Sequence, residues 1–67
     1  VITLSINGQH HQFTAPLSIS ALLLELDLSG KRVAVEHNGE IVPRSQHGEV
    51  MLAEADQLEI VVAVGGG

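Results

Sequence analysis

The chain has 67 residues, 45% of them apolar and 16% charged, with a formal net charge of −5. That length holds one domain with a thin core and leaves little room for a deep substrate pocket, which argues against a stand-alone enzyme. The absence of cysteine excludes disulfides, cysteine-bound zinc and a thiol nucleophile, and three basic residues, Lys31, Arg32 and Arg44, are too few for nucleic-acid binding through clustered cations.

Residues 1–6 read as a strand: Ile2, Leu4 and Ile6 fall on one face, Thr3 and Ser5 on the other. Asn7-Gly8 is a hairpin turn whose residues tolerate positive φ, and residues 9–14 form the return strand. There His11 and Phe13 share a face, with Phe13, the one aromatic residue, as core anchor. Ser18 is the expected N-cap of a helix running to about Leu28, with Ile19, Leu22, Leu23 and Leu26 as its apolar stripe and Leu24 off it. Gly30 is expected to supply the left-handed residue that ends the helix.

Residues 32–37 form a third strand, Asn38-Gly39 a second hairpin turn, and residues 40–42 its return, stopped by Pro43. Residues 45–56 predict a short helical turn and a loop. Residues 57–64 make the last strand, with Leu58, Ile60 and Val62 on one face and Glu59, Val61 and Ala63 on the other. The order β-β-α-β-β-loop-β puts one helix against a mixed sheet of about five strands, the first and last lying parallel in the middle. This is an α+β, β-grasp (ubiquitin-like) architecture. Residues 1–64 form the expected domain, and residues 65–67 a flexible glycine tail. No signal peptide is read and no apolar run approaches the ~20 residues of a membrane span, so no membrane association and a cytoplasmic location are expected. The acidic net charge is expected to draw the chain to basic patches on partner proteins.

The last strand leads directly into Val64 and Gly65-Gly66-Gly67. Three glycines at a chain end are by default a frayed terminus or a linker. After this element order, a functional tail is the stronger reading. Without a Cβ, glycine threads a narrow channel and adopts conformations closed to other residues. The α-carboxylate of Gly67 is a poor acyl donor until activated. Adenylation with ATP and Mg²⁺ makes a mixed anhydride, from which a sulfur nucleophile displaces AMP. The activating enzyme must supply the nucleotide pocket, because this chain has no glycine-rich loop between a strand and a helix.

Other candidates are weaker. His10 and His11 are adjacent on a strand and point to opposite faces, and with His37 and His47 they show no metal-ligand spacing; all four read as surface or half-buried, with no metal expected. Glu36 and Glu40 flank a hairpin as a conceivable carboxylate pair, though a solvated turn is favoured. Ser45 lies two residues from His47, but nothing marks it as a nucleophile. Arg44, after a rigid proline, is a candidate partner for a carboxylate on another protein. Val61, Ala63 and, if strands three and five are neighbours, Ala34 are candidate docking residues on the open face of the sheet, and Val64, next along the chain, is a further docking candidate.

The segments Ser18-Ile19-Ser20-Ala21-Leu22-Leu23 and Val33-Ala34-Val35-Glu36-His37-Asn38-Gly39-Glu40-Ile41-Val42-Pro43-Arg44, followed by the terminal Gly66-Gly67, resemble the ThiS family of sulfur carriers in thiamine (thiazole) biosynthesis. The resemblance covers essentially the full chain. It implies that a ThiF-type adenylyltransferase activates Gly67 with ATP, that a persulfide enzyme donates sulfur to give a Gly67 thiocarboxylate, and that a ThiG-type thiazole synthase consumes it. It implies a carrier rather than an enzyme, with no bound cofactor and Gly65 and Gly66 threading the tail. A Gly-Gly ending is usual in the family, and Gly65 is a third glycine. A MoaD-like carrier for the molybdenum cofactor, a ubiquitin-like modifier and an inert β-grasp interaction module remain as alternatives.

Overall fold

The computed structural model describes residues 1–63; Val64, Gly65, Gly66 and Gly67, and with them the expected domain boundary, lie outside the described residues. The chain forms β1 (Ile2–Ile6), β2 (Gln9–Phe13), α1 (Ile19–Glu25), β3 (Val33–His37), β4 (Glu40–Val42), a 3₁₀ turn (Arg44–Gln46) and β5 (Gln57–Val62). The sheet order is β2-β1-β5-β3-β4, with β1 and β5 parallel and the other neighbours antiparallel. This is the α+β, β-grasp arrangement, with the final strand at the centre of the sheet.

Period-2 alternation sets which side of the sheet is buried. Leu4, Ile6, Val35, Leu58 and Ile60 point toward α1, where they close a core with Ile19, Leu22 and Leu23; Leu17 and Leu52 complete it. Phe13 is half-buried and packs on the edge of this core, so it does not anchor it. Its strand is the outermost, and it stacks on His11 at 6.2 Å between ring centroids. Leu24, off the apolar stripe, is exposed.

Ser18 caps α1 by accepting a hydrogen bond from the Ala21 N–H at 3.0 Å. The helix is about two turns long and ends before the expected Leu28. Asp27, not Gly30, takes the left-handed conformation, with φ of 61°. The Asp27 N–H then donates to the Leu24 carbonyl and the Leu28 N–H to that of Leu23, the paired bonds of a Schellman motif. Aspartate tolerates this conformation better than most residues, and Leu28 beyond it folds back onto the core. Gly30, also at positive φ, belongs to the following turn.

The two hairpin asparagines do more than turn the chain. Asn7 and Asn38 both have positive φ, as the turns require. The Asn7 side chain also accepts from the Ile60 N–H at 2.8 Å and donates to the Ile60 carbonyl at 3.0 Å, extending the short β1–β5 ladder. Asn38 accepts from the Gln57 N–H at 2.8 Å and donates to Asp56 at 3.2 Å. Both turns therefore grip β5. Asn7→Gly keeps the turn and removes both side-chain bonds to Ile60. It should cost about 1–3 kcal/mol in a urea titration, because half-buried backbone groups lose their partners.

Asp56 closes the second junction. Its carboxylate accepts from His37 Nε2 at 2.7 Å and from the Ala53 N–H at 2.8 Å. Burial raises its pKa, but the bonds from His37, Ala53 and Asn38 and the charge of His37 outweigh this and hold it below the usual aspartate value. A depressed folded-state pKa gives stability that is present above the unfolded value and lost as pH falls through the folded one. Between about pH 5 and pH 2, wild-type stability should therefore fall more steeply than that of Asp56→Asn, as urea midpoints measured across that range will show.

Candidate docking face and tail root

The open face of the sheet begins with a direct cross-strand pair. Ala34 on β3 stands opposite Val61 on β5, both facing away from α1. Val61 is 64% exposed, so a large aliphatic side chain sits in water at the centre of this face. Beyond β5, the Ala63 N–H still donates to the Arg32 carbonyl at 2.9 Å, which keeps the chain against β3 as far as the last described residue. Pro43 ends β4 and starts the 3₁₀ turn, placing Arg44 beside the same strands. Ala34, Val61, Ala63 and Arg44 thus line one shallow surface hollow of about 400 Å³, together with Arg32 and Val33. Four of the five candidate docking residues come together here; the fifth, Val64, lies outside the described residues. Arg32 was missed by sequence reasoning, although its position just before β3, antiparallel to the final strand, was the available signal.

Ile41, 68% exposed, adds a second large aliphatic to the open face, opposite Glu36. The Glu36–Glu40 pair does not form. Glu40 faces His37 across β3 and β4, while Glu36 stands opposite Glu59 on β5. Side chains four residues apart around a two-residue turn fall on opposite faces of the sheet, as their register shows.

His47 departs from the expected exposure. It is buried, at 5% exposed, and its Nε2–H donates to the Val42 carbonyl at 3.1 Å. This bond ties the 3₁₀ turn to the end of β4 and so helps hold Arg44 in place. Among the described residues no group of three or more histidines, cysteines or carboxylates could hold a metal ion, and no helix is long and apolar enough to cross a membrane.

The geometry is that of a β-grasp domain: a closed aliphatic core, an open sheet face with an apolar patch around Ala34 and Val61, and a central strand followed in the sequence by a glycine run. The sequence model of the ThiS family matches residues 4–67, and the chain belongs to that family. It is 44% identical over 50 residues to the sulfur carrier protein ThiS of Bacillus subtilis, covering 75% of this chain and 76% of that one. It is 47% identical over 64 residues to a thiazole synthase of Paramagnetospirillum magneticum, covering 96% of this chain; the chain spans only 20% of that relative. The crystal structure of the thiamine biosynthesis protein ThiS from Geobacter metallireducens superposes with a TM-score of 0.82 at 28% identity, covering 98% of this chain and all of that one.

Proposed function

We propose that this chain carries sulfur for thiazole formation in thiamine biosynthesis, on the α-carboxylate of Gly67. The observation that carries this reading is the family match through residue 67, which includes the glycine run beyond the central strand. The chain is a cosubstrate, and the chemistry is done to it by others. A ThiF-type enzyme, using ATP and Mg²⁺, joins the Gly67 carboxylate to AMP and releases pyrophosphate. A persulfide sulfur then attacks the acyl carbon, AMP leaves, and reduction of the acyl disulfide by a thiol gives the thiocarboxylate. A ThiG-type thiazole synthase takes up that sulfur. The thiazole synthase relatives support this last partner, since each has a segment like this chain within its own length.

In this reading Gly65 and Gly66 thread the activating enzyme's channel, while Ala34, Val61, Ala63, Val64 and Arg44 dock on its surface. The chain itself binds no cofactor and works in the cytoplasm. Intact-mass analysis of the protein isolated from cells, and of the purified chain after reaction with ATP, a persulfide source and the ThiF-type enzyme of the same genome, tests the proposal. A gain of about 16 Da, sulfur for oxygen, is expected at the C-terminus. Unchanged mass with a demonstrably active enzyme overturns the proposal, and conjugates on lysines of other proteins would mark a modifier instead.

A further inference from the structure

The chain is acidic overall, yet its three cations gather at one end of β5 while the carboxylates of that strand and its neighbours lie toward the other; Glu25, Asp27, Glu40 and Glu49 lie elsewhere on the chain. Glu54 and Asp56 precede this strand, Glu59 lies within it, and Glu36 stands beside Glu59 on β3. About 20 Å farther along, the other end holds all three basic residues of the sequence. Arg32 is hydrogen-bonded through its backbone to Ala63, and Lys31 precedes it. Arg44 lines both the hollow beside Ala63 and a second, smaller hollow that Lys31 shares. All three are exposed, and among the described residues none forms an ion pair; the one ion pair present joins His37 to Asp56.

We propose that these cations dock on carboxylates at the mouth of the activating enzyme's tail channel. The surface that meets the tail root is therefore acidic, the reverse of what the net charge of −5 suggests. This rests on the sulfur-carrier reading above and adds to it the charge and orientation of the partner. Screening limits the reach of a charge to roughly 8 Å at physiological salt, so at contact the local cations outweigh Glu36 and Glu59, each four residues or about 13 Å along its strand from the basic end. With none of the three in an ion pair among the described residues, no such pair has to be broken before a guanidinium meets a partner's carboxylate, and arginine is more weakly hydrated than lysine. The opposite end then faces away from the channel, so the chain enters in one direction.

The test is the chain-dependent ATP–pyrophosphate exchange of the ThiF-type enzyme from the same genome, with wild type, the double variant Arg32→Gln/Arg44→Gln and its charge-retaining counterpart Arg32→Lys/Arg44→Lys. Removing the two charges should lower kcat/KM about tenfold at low salt, mainly through KM, and the loss should shrink as salt rises. The lysine variant should recover most of the rate. Melting curves should not move for either variant, which separates a docking defect from a folding one. A glutamine variant that exchanges as fast as wild type, or faster, overturns the proposal, because a basic partner would favour the more negative chain. In that case the carrier reading stands. Absence of exchange with wild type overturns both.

Discussion

A chain lacking Gly67 should not gain sulfur. The carboxylate that remains belongs to Gly66, one residue short, and a trans peptide advances the chain by about 3.8 Å. An adenylation step that requires its reacting atoms within roughly 3–3.5 Å cannot absorb such a displacement, and misplacement of even 1 Å can cost about a hundredfold. Thiocarboxylate formation is therefore expected to drop below detection by intact-mass analysis. The fold should be untouched, because all the buried core residues lie between Leu4 and Ile60. Its melting curve should match that of wild type. Residues added after Gly67 should have the same effect, since they convert the acceptor carboxylate into an amide. Normal charging of either variant would refute the assignment of the carrier group.

The largest stability effect is expected at Leu22. Its side chain is fully buried in the middle of α1, within a core whose buried residues are all aliphatic apart from His47. Leu22→Ala should cost about 2–5 kcal/mol, the sum of lost transfer free energy and the cavity left behind. A domain of this size has roughly 3–10 kcal/mol of stability in total. Each kcal/mol corresponds to about 4–8 °C in Tm for a chain this short, so thermal unfolding should move down by roughly 8–40 °C. Leu24→Ala, two residues on and exposed, should leave Tm nearly unchanged. Equal melting of the Leu22 and Leu24 variants would contradict the orientation of the helix.

Alternation and turn chemistry made the sheet legible in the sequence. Both Asn-Gly hairpins, the alternating faces of β1, β3 and β5, and the central parallel pair follow from period 2 and from how short connections join strands. The helix end was not legible from its glycine. Gly30 is the stronger left-handed residue in isolation, but the apolar Leu28 after Asp27 had a core to fold against, and that contact decided the boundary. The burial of His47 depended on how a loop lies across the end of β4, which no periodicity encodes. At the site, Ala34, Val61 and Ala63 could be grouped because strand register is predictable. Arg32 and Lys31 could not, because their proximity to Arg44 is set by two connections from different parts of the chain.

The double grip on β5 bears on what happens when a partner pulls. Tension applied at the C-terminus runs along the axis of this strand, which is flanked by β1 on one side and β3 on the other. Hydrogen bonds between antiparallel strands stand perpendicular to that axis, so a tug loads many of them in shear together and does not peel them one by one. The β1 side has the shorter ladder, and there the Asn7 amide carries part of the load through Ile60. Asn38 does the same at the start of the strand, through Gln57. On the proposed sulfur-carrier reading, the two turn asparagines act as mechanical anchors that keep the domain from unravelling when an enzyme draws on the end of the chain.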